Sequence, residues 1–260
     1  MSKNTNGKIR LSKVSLLHYV RLIYRSVIFI ALLVFYILNK VNGETQVIDR
    51  LEGTPLLILF VWVVFILEMV YRFFPSKLES PGCQKQFACN YKKTGKTDII
   101  IQDNNATVLV LIIWIGFNMI FGGLHMMGIL DDGFMLLLCS AYSVCDVICI
   151  LFFCPFQTWL LKNKCCSTCR IYNWDYAMMF TPLFFVRKSY LWALLLISFI
   201  LLIRWEITFY KHSERFSENT NSFLKCENCN EKLCAHKKQL HSLWNKVEEY
   251  YETREKLLKE

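Results

Sequence analysis

Apolar positions in this chain fall in long runs, not in the alternation of a half-solvated helix or strand. Five runs approach or exceed the about 20 helical residues needed to cross a hydrocarbon core about 30 Å thick: 20–38, 54–74, 106–127, 134–161 and 189–210. The pattern predicts an all-α, polytopic integral membrane bundle of about five transmembrane helices. In the first run only 26–38 is uninterrupted, because Arg21 and Arg25 break its beginning. It reads as an uncleaved helix rather than a signal peptide: the exit Asn39-Lys40-Val41-Asn42-Gly43 offers no small-residue cleavage site, and Arg25 can snorkel toward headgroups. The fourth run is overlong, so it tilts or breaks at Cys154-Pro155.

Between these runs the chain divides into a basic N-terminal segment (1–19), a bundle (20–210) and a polar, cysteine-rich tail (211–260). Prolines and glycine at Pro75, Pro81 and Gly82 make 75–105 an irregular cap, and 128–133 reads as a tight turn joining two antiparallel neighbours. Within the linking stretch 162–188, residues 171–185 are apolar yet carry Asn173, Asp175, Thr181 and Pro182. This predicts an interfacial or re-entrant piece with Tyr172, Trp174 and Tyr176 at headgroup depth. The alternative is a sixth crossing, which would bring the tail to the same side as the N-terminus. Apolar residues from Leu240 to Leu258 recur at helical spacing, so 237–260 forms an amphipathic helix whose stripe needs a partner: this protein, a second copy or the bilayer surface.

Composition supports the membrane reading. The 260 residues are 54% hydrophobic, with mean hydropathy +0.31, well above the apolar content a soluble domain needs. Lys and Arg gather in the N-terminal segment, in 75–105 and in 162–188, whereas Asp131-Asp132 sits in a short loop without a basic residue. Positive-inside then places the N-terminus in the cytoplasm, most simply of a cell membrane. Five crossings would leave the tail outside, in tension with its Lys211, Arg215, Lys225 and Lys232. A net charge of +9 suits anionic headgroups, and nucleic acid need not be invoked.

Candidate chemistry lies in the 12 cysteines. Cys226-x-x-Cys229-x4-Cys234-x-His236 holds the ligand types of a structural metal site, although the spacing is not that of a standard finger. Cys165-Cys166-x-x-Cys169 forms a second cluster, where Lys164 and Arg170 favour thiolate. Two such clusters on one membrane face could share a four-cysteine site, and on opposite faces they could not. Within the bilayer Asp146 should face the bundle and find a partner, with Glu68, Asn118 and His125 available. Asp146 with Cys139, Cys145 and Cys149, continued by His125, Met126 and Met127, could line a route for a soft cation, against the simpler reading that these residues bond neighbours and fill space.

Gly116, Gly122, Gly123 and Gly128 suit close helix packing, and Arg204 and Glu206 read as interfacial charges. No nucleotide loop, dinucleotide fingerprint, nucleophile elbow or zincin helix is present, so no enzyme class or nucleotide cofactor is indicated. Three functions follow from the thiols. In order, they are binding of zinc or an iron–sulfur cluster for a structural or assembly role, membrane thiol–disulfide exchange through Cys166/Cys169 and Cys226/Cys229, and transport of a soft metal ion.

Overall fold

The computed structural model describes residues 13–42, 53, 55–75, 81–101, 104–162, 168–225 and 228. The molecule is all-helical, with no strand among the described residues. Its elements are α1 (Lys13–Val41), α2 (Pro55–Tyr71), α3 (Pro81–Gln86), α4 (Asn104–Met126), α5 (Asp132–Leu151), α6 (Asp175–Phe180) and α7 (Ser189–Lys211). Four helices are long and apolar enough to cross a membrane, at Ser15–Val41, Asn104–Met126, Asp132–Leu151 and Ser189–Lys211; α2 is apolar but shorter.

The side chains are sorted as lipid demands. On α1, Leu16, Val20, Ile23, Val27, Ile30 and Val34 are exposed at steps of three or four residues, while Ser15, His18, Arg21 and Arg25 at the same steps are buried. A helix with its polar stripe inside and its apolar stripe outside is built for a surround more apolar than its neighbours. On α4 likewise, Ile112, Phe117, Met119 and Ile120 are exposed and Thr107 and Asn118 are buried.

Local chemistry sets the helix ends. Gly128, at φ +75°, takes the left-handed conformation that closes α4, and the Asp131 side chain caps α5 by accepting the Phe134 N–H at 2.8 Å. The turn joins antiparallel neighbours as its length implied. Helix α5 ends at Leu151, four residues before Pro155, whose ring would meet the Leu151 carbonyl in a continued helix. The overlong fourth run therefore breaks where expected, and a short π-helical turn (Phe156–Leu160) follows.

Helix α1 lies along α5, antiparallel: Tyr19 and Leu22 pack on Val147 and Leu151, and at the other end Lys40 pairs with Asp131 at 2.9 Å. Residues 170–185 are an unbroken series of helical turns, 3-10 at Arg170–Trp174, α6, then 3-10 again at Thr181–Phe185. They run parallel to α4. Arg170 donates to Asn104 at 2.7 Å, Trp114 donates to Thr181 at 3.3 Å, and Phe185 lies against Gly122. The greater rise of 3-10 turns lets 16 residues span about 29 Å, against about 27 Å for the 18-residue α-helical step from Asn104 to Gly122.

This stretch is packed within the bundle. Tyr172, Trp174 and Tyr176 are buried there. Its polar groups are bonded inside the protein: Asn173 donates to Gln86 at 2.8 Å, Asp175 pairs with Arg72, and the Thr181 hydroxyl donates to the Ala177 carbonyl at 2.7 Å. Irregular backbone survives at depth only where protein covers it.

Among the described residues, α1, α2, α4, α5, 170–185 and α7 run along the bundle, and 212–225 emerges at the end that holds the 81–101 cap. There Thr94 N–H donates to Thr220 O, Ser222 N–H donates to Lys92 O, and fully buried Asn221 donates to the Lys85 and Arg215 carbonyls at 3.0 and 2.9 Å. These bonds hold 212–225 against the cap. Arg187 and Lys188, expected beside the cap, follow Phe185 at the far end instead.

Candidate functional site: a buried ion network beside a sulfur-lined cavity

The inner ends of α1, α2, α5 and the 170–185 stretch converge on charged side chains. Arg25, 1% exposed, donates to Glu68 at 2.7 Å, to Asp146 at 3.1 Å and to the Ser143 carbonyl at 2.9 Å. Arg21 pairs with Glu68 at 2.9 Å. Tyr24 and Tyr176 donate to Glu68 at 2.6 and 3.1 Å, and Arg72 donates to Asp175 at 3.0 Å. Among the described residues, three guanidiniums thus face three carboxylates. The Arg25 and Arg72 guanidiniums also lie over the Tyr176 ring, at 6.0 and 4.7 Å from its centre.

Asp146 therefore finds its partner inside the bundle as the cost of lipid exposure required, and Glu68 joins it through a shared arginine. Arg25 does not snorkel. With two acids on facing helices within reach, turning inward makes four contacts, to Glu68, Asp146, the Ser143 carbonyl and, at 3.4 Å, the Tyr24 hydroxyl, whereas turning outward would take the arginine from Asp146. Asp146 also lies five residues before the end of α5, not at its middle.

The other intramembrane candidates stay apart from it. Asn118 donates to the Trp114 carbonyl at 2.9 Å and accepts from Tyr142 at 3.5 Å. His125 binds the Leu130 carbonyl at 3.0 Å and Asp132 at 3.2 Å, a helix-end histidine closing its own turn. Cys139 is packed in the main core beside Leu183, while Met126 and Met127 are exposed at the far end. The route from Asp146 through Cys139 to His125, Met126 and Met127 is not continuous.

One part of that route is real as a place. A cavity of about 140 Å³ beside the ion network is lined by Cys145, Cys149, Cys154 and Cys169, by Met178 and Met179, and by Asp146 and Asp175. Cys154 Sγ accepts the Gln157 N–H at 3.4 Å. The four cysteines come from the last turns of α5, from the break at 152–155 and from Cys169 beyond it. Among the described residues no three His, Cys, Asp or Glu side chains converge as a metal site.

Of the expected metal ligands, Cys165, Cys166, Cys226, Cys229, Cys234 and His236 lie outside the described residues, as does the 237–260 helix. Cys169 is described, buried and on the cavity wall. Its neighbour Arg170 is not a free cation acting on thiols: it pairs with Glu206 at 2.5 Å, donates to Tyr210 at 3.2 Å and stacks over Phe209. Glu206 also accepts from Trp174 at 2.7 Å, and Arg204 donates to the Phe73 carbonyl at 2.6 Å, so both are bonded into the protein.

The sequence reading missed Arg21, Arg72, Asp175 and Tyr176 as members of the network. The signal was present in the steps of α1, where His18, Arg21 and Arg25 share one face with Ser15. His18 is 1% exposed, and neither of its ring nitrogens has a hydrogen-bond partner among the described residues. Against protein-family models, curated proteins and solved structures, this chain has no match.

Proposed function

We propose that the protein is a six-pass membrane protein, with both termini in the cytoplasm, whose cysteine clusters bind a soft metal ion at the inner end of the bundle in a structural or assembly role. The observation that carries this reading is the set of hydrogen bonds holding 212–225 on the 81–101 cap. They bring the start of the Cys226–Cys229–Cys234 segment to the end of the bundle where Thr168, Cys169 and Arg170 lie. A shared site needs both clusters on one face, and this contact supports that arrangement. Positive-inside agrees, since Lys85, Lys92, Lys93, Lys96 and the basic tail then share the cytoplasmic side with the N-terminal segment.

Zinc, or an iron–sulfur cluster, suits four thiolates from two Cys-x-x-Cys turns, Cys166/Cys169 and Cys226/Cys229. The buried position of Cys169 favours a structural centre over rapid disulfide exchange, which needs an accessible thiolate. The test is metal analysis of the purified full-length protein with thiol counting before and after chelation. One zinc or one iron–sulfur cluster per chain, with about four thiols becoming titratable on its removal, supports the reading. All thiols reactive at the outset, with no metal bound, contradicts it.

A further inference from the structure

Helices α4 and α7 leave a groove between them at the end of the bundle that holds the cap. It has a volume of about 470 Å³, within the range of small-molecule sites, and buried Arg170 and Trp174 form part of its wall. The helical walls are graded from polar to apolar. Asn104, Glu206 and Tyr210 stand toward the cap, whereas Leu111 and Leu202 lie about 10–12 Å farther along the same two helix faces, at about 1.5 Å per residue. One leaflet holds about 15 Å of hydrocarbon, half of the whole core, so the groove runs from headgroup level into the acyl region. Val108, Leu111 and Tyr210 are exposed, which leaves it open sideways to the bilayer.

We propose that this groove binds one phospholipid with a primary-ammonium headgroup, of the phosphatidylethanolamine kind. Its polar end carries the complement of that zwitterion. Arg170 donates to the Asn104 Oδ1 at 2.7 Å and to the Tyr210 hydroxyl oxygen at 3.2 Å. Each of these partners accepts with its oxygen, so the Asn104 amide N–H groups and the Tyr210 O–H stay available as donors, with no acceptor among the described residues. Two such donors suit phosphate oxygens. Glu206 supplies the opposite sign. A carboxylate has about four acceptor positions, and among the described residues Glu206 accepts two hydrogen bonds from Arg170 and one from Trp174, which leaves a position for an ammonium N–H. Arg170 and Glu206 balance each other, as the phosphate and ammonium of the headgroup do. A choline headgroup has no N–H to give, and a net-anionic headgroup brings its charge to Glu206 with nothing to fill that position.

The test places the full-length chain in nanodiscs of equal parts dioleoyl phosphatidylethanolamine, phosphatidylcholine and phosphatidylglycerol, then releases it into detergent for native mass spectrometry. One phosphatidylethanolamine per chain should be retained, favoured about fivefold or more over each of the other two lipids. Val108→Trp fills the groove from a lipid-facing position and should cut this retention about tenfold with the thermal midpoint unchanged. Tyr210→Phe, which removes one phosphate donor, should lower it about threefold, while Ile112→Trp, exposed on α4 outside the groove, should leave it as it was. The comparison of lipids is made on the unsubstituted chain, so it does not depend on any variant folding. Equal retention of the three lipids, preference for phosphatidylcholine or phosphatidylglycerol, or native retention by Val108→Trp overturns the proposal. None of these outcomes involves the thiols, so the metal reading stands or falls separately.

Discussion

At the scale of single residues, Arg25 ties three passages together. Replacing it with Met takes the arginine from Asp146 and one of two arginines from Glu68, and removing one partner of a buried pair costs about 3–5 kcal/mol. Arg25→Met is thus expected to lower the thermal midpoint in detergent strongly, and adding Asp146→Asn should recover part of the loss; equal melting of wild type and Arg25→Met would contradict the network. His18 makes the opposite case. Its ring nitrogens are buried without partners among the described residues, a cost of about 1–3 kcal/mol, so His18→Leu should leave stability level or raise it. A clear loss would show that the imidazole is bonded after all. Sequence reasoning found Glu68 and Asp146 because an acid in lipid needs a partner, yet it assigned Arg25 to headgroups. One helix read alone cannot show that two acids face it.

Among the elements, the 170–185 stretch shows where legibility ended. The long runs 106–127 and 189–210 became α4 and α7 almost to the residue, because an α-helix of their length is the cheapest way to cover about 30 Å. In the sequence, 171–185 reads as too polar and too interrupted for a crossing of its own. In the structure 3-10 turns lengthen it, and Gln86, Arg72 and Trp114 from other elements bond its polar groups. Its outer end depends on Gly122, where an added Cβ would stand 2.1 Å from the Phe185 ring. Gly122→Leu should destabilise by about 1–3 kcal/mol, as overpacking does, whereas Gly116→Leu, with open space around it, should be silent by the same melting assay. At the inner end, Asn221→Ala removes two donor bonds to Lys85 and Arg215 and acceptor contacts to the Lys92 and Phe223 N–H groups. Faster proteolysis after residue 212, with the bundle intact, is the expected outcome; an unchanged digestion rate would show that the tail is held by something else.

For the whole molecule, the decisive quantity is the parity of the passages. Five runs could be seen in the sequence, and an odd count put the basic tail outside against its charge. Six passages, as proposed, would remove that conflict and put both cysteine clusters on one face. The topology therefore decides whether a shared metal site is possible at all. Sealed vesicles of known orientation, treated with a membrane-impermeant maleimide after metal removal, test it directly. Labelling of Cys226, Cys229 and Cys234 in inside-out vesicles, with protection in right-side-out ones, is the expected result. Labelling of those thiols from the outer face of right-side-out vesicles would contradict the six-pass arrangement and the shared site with it.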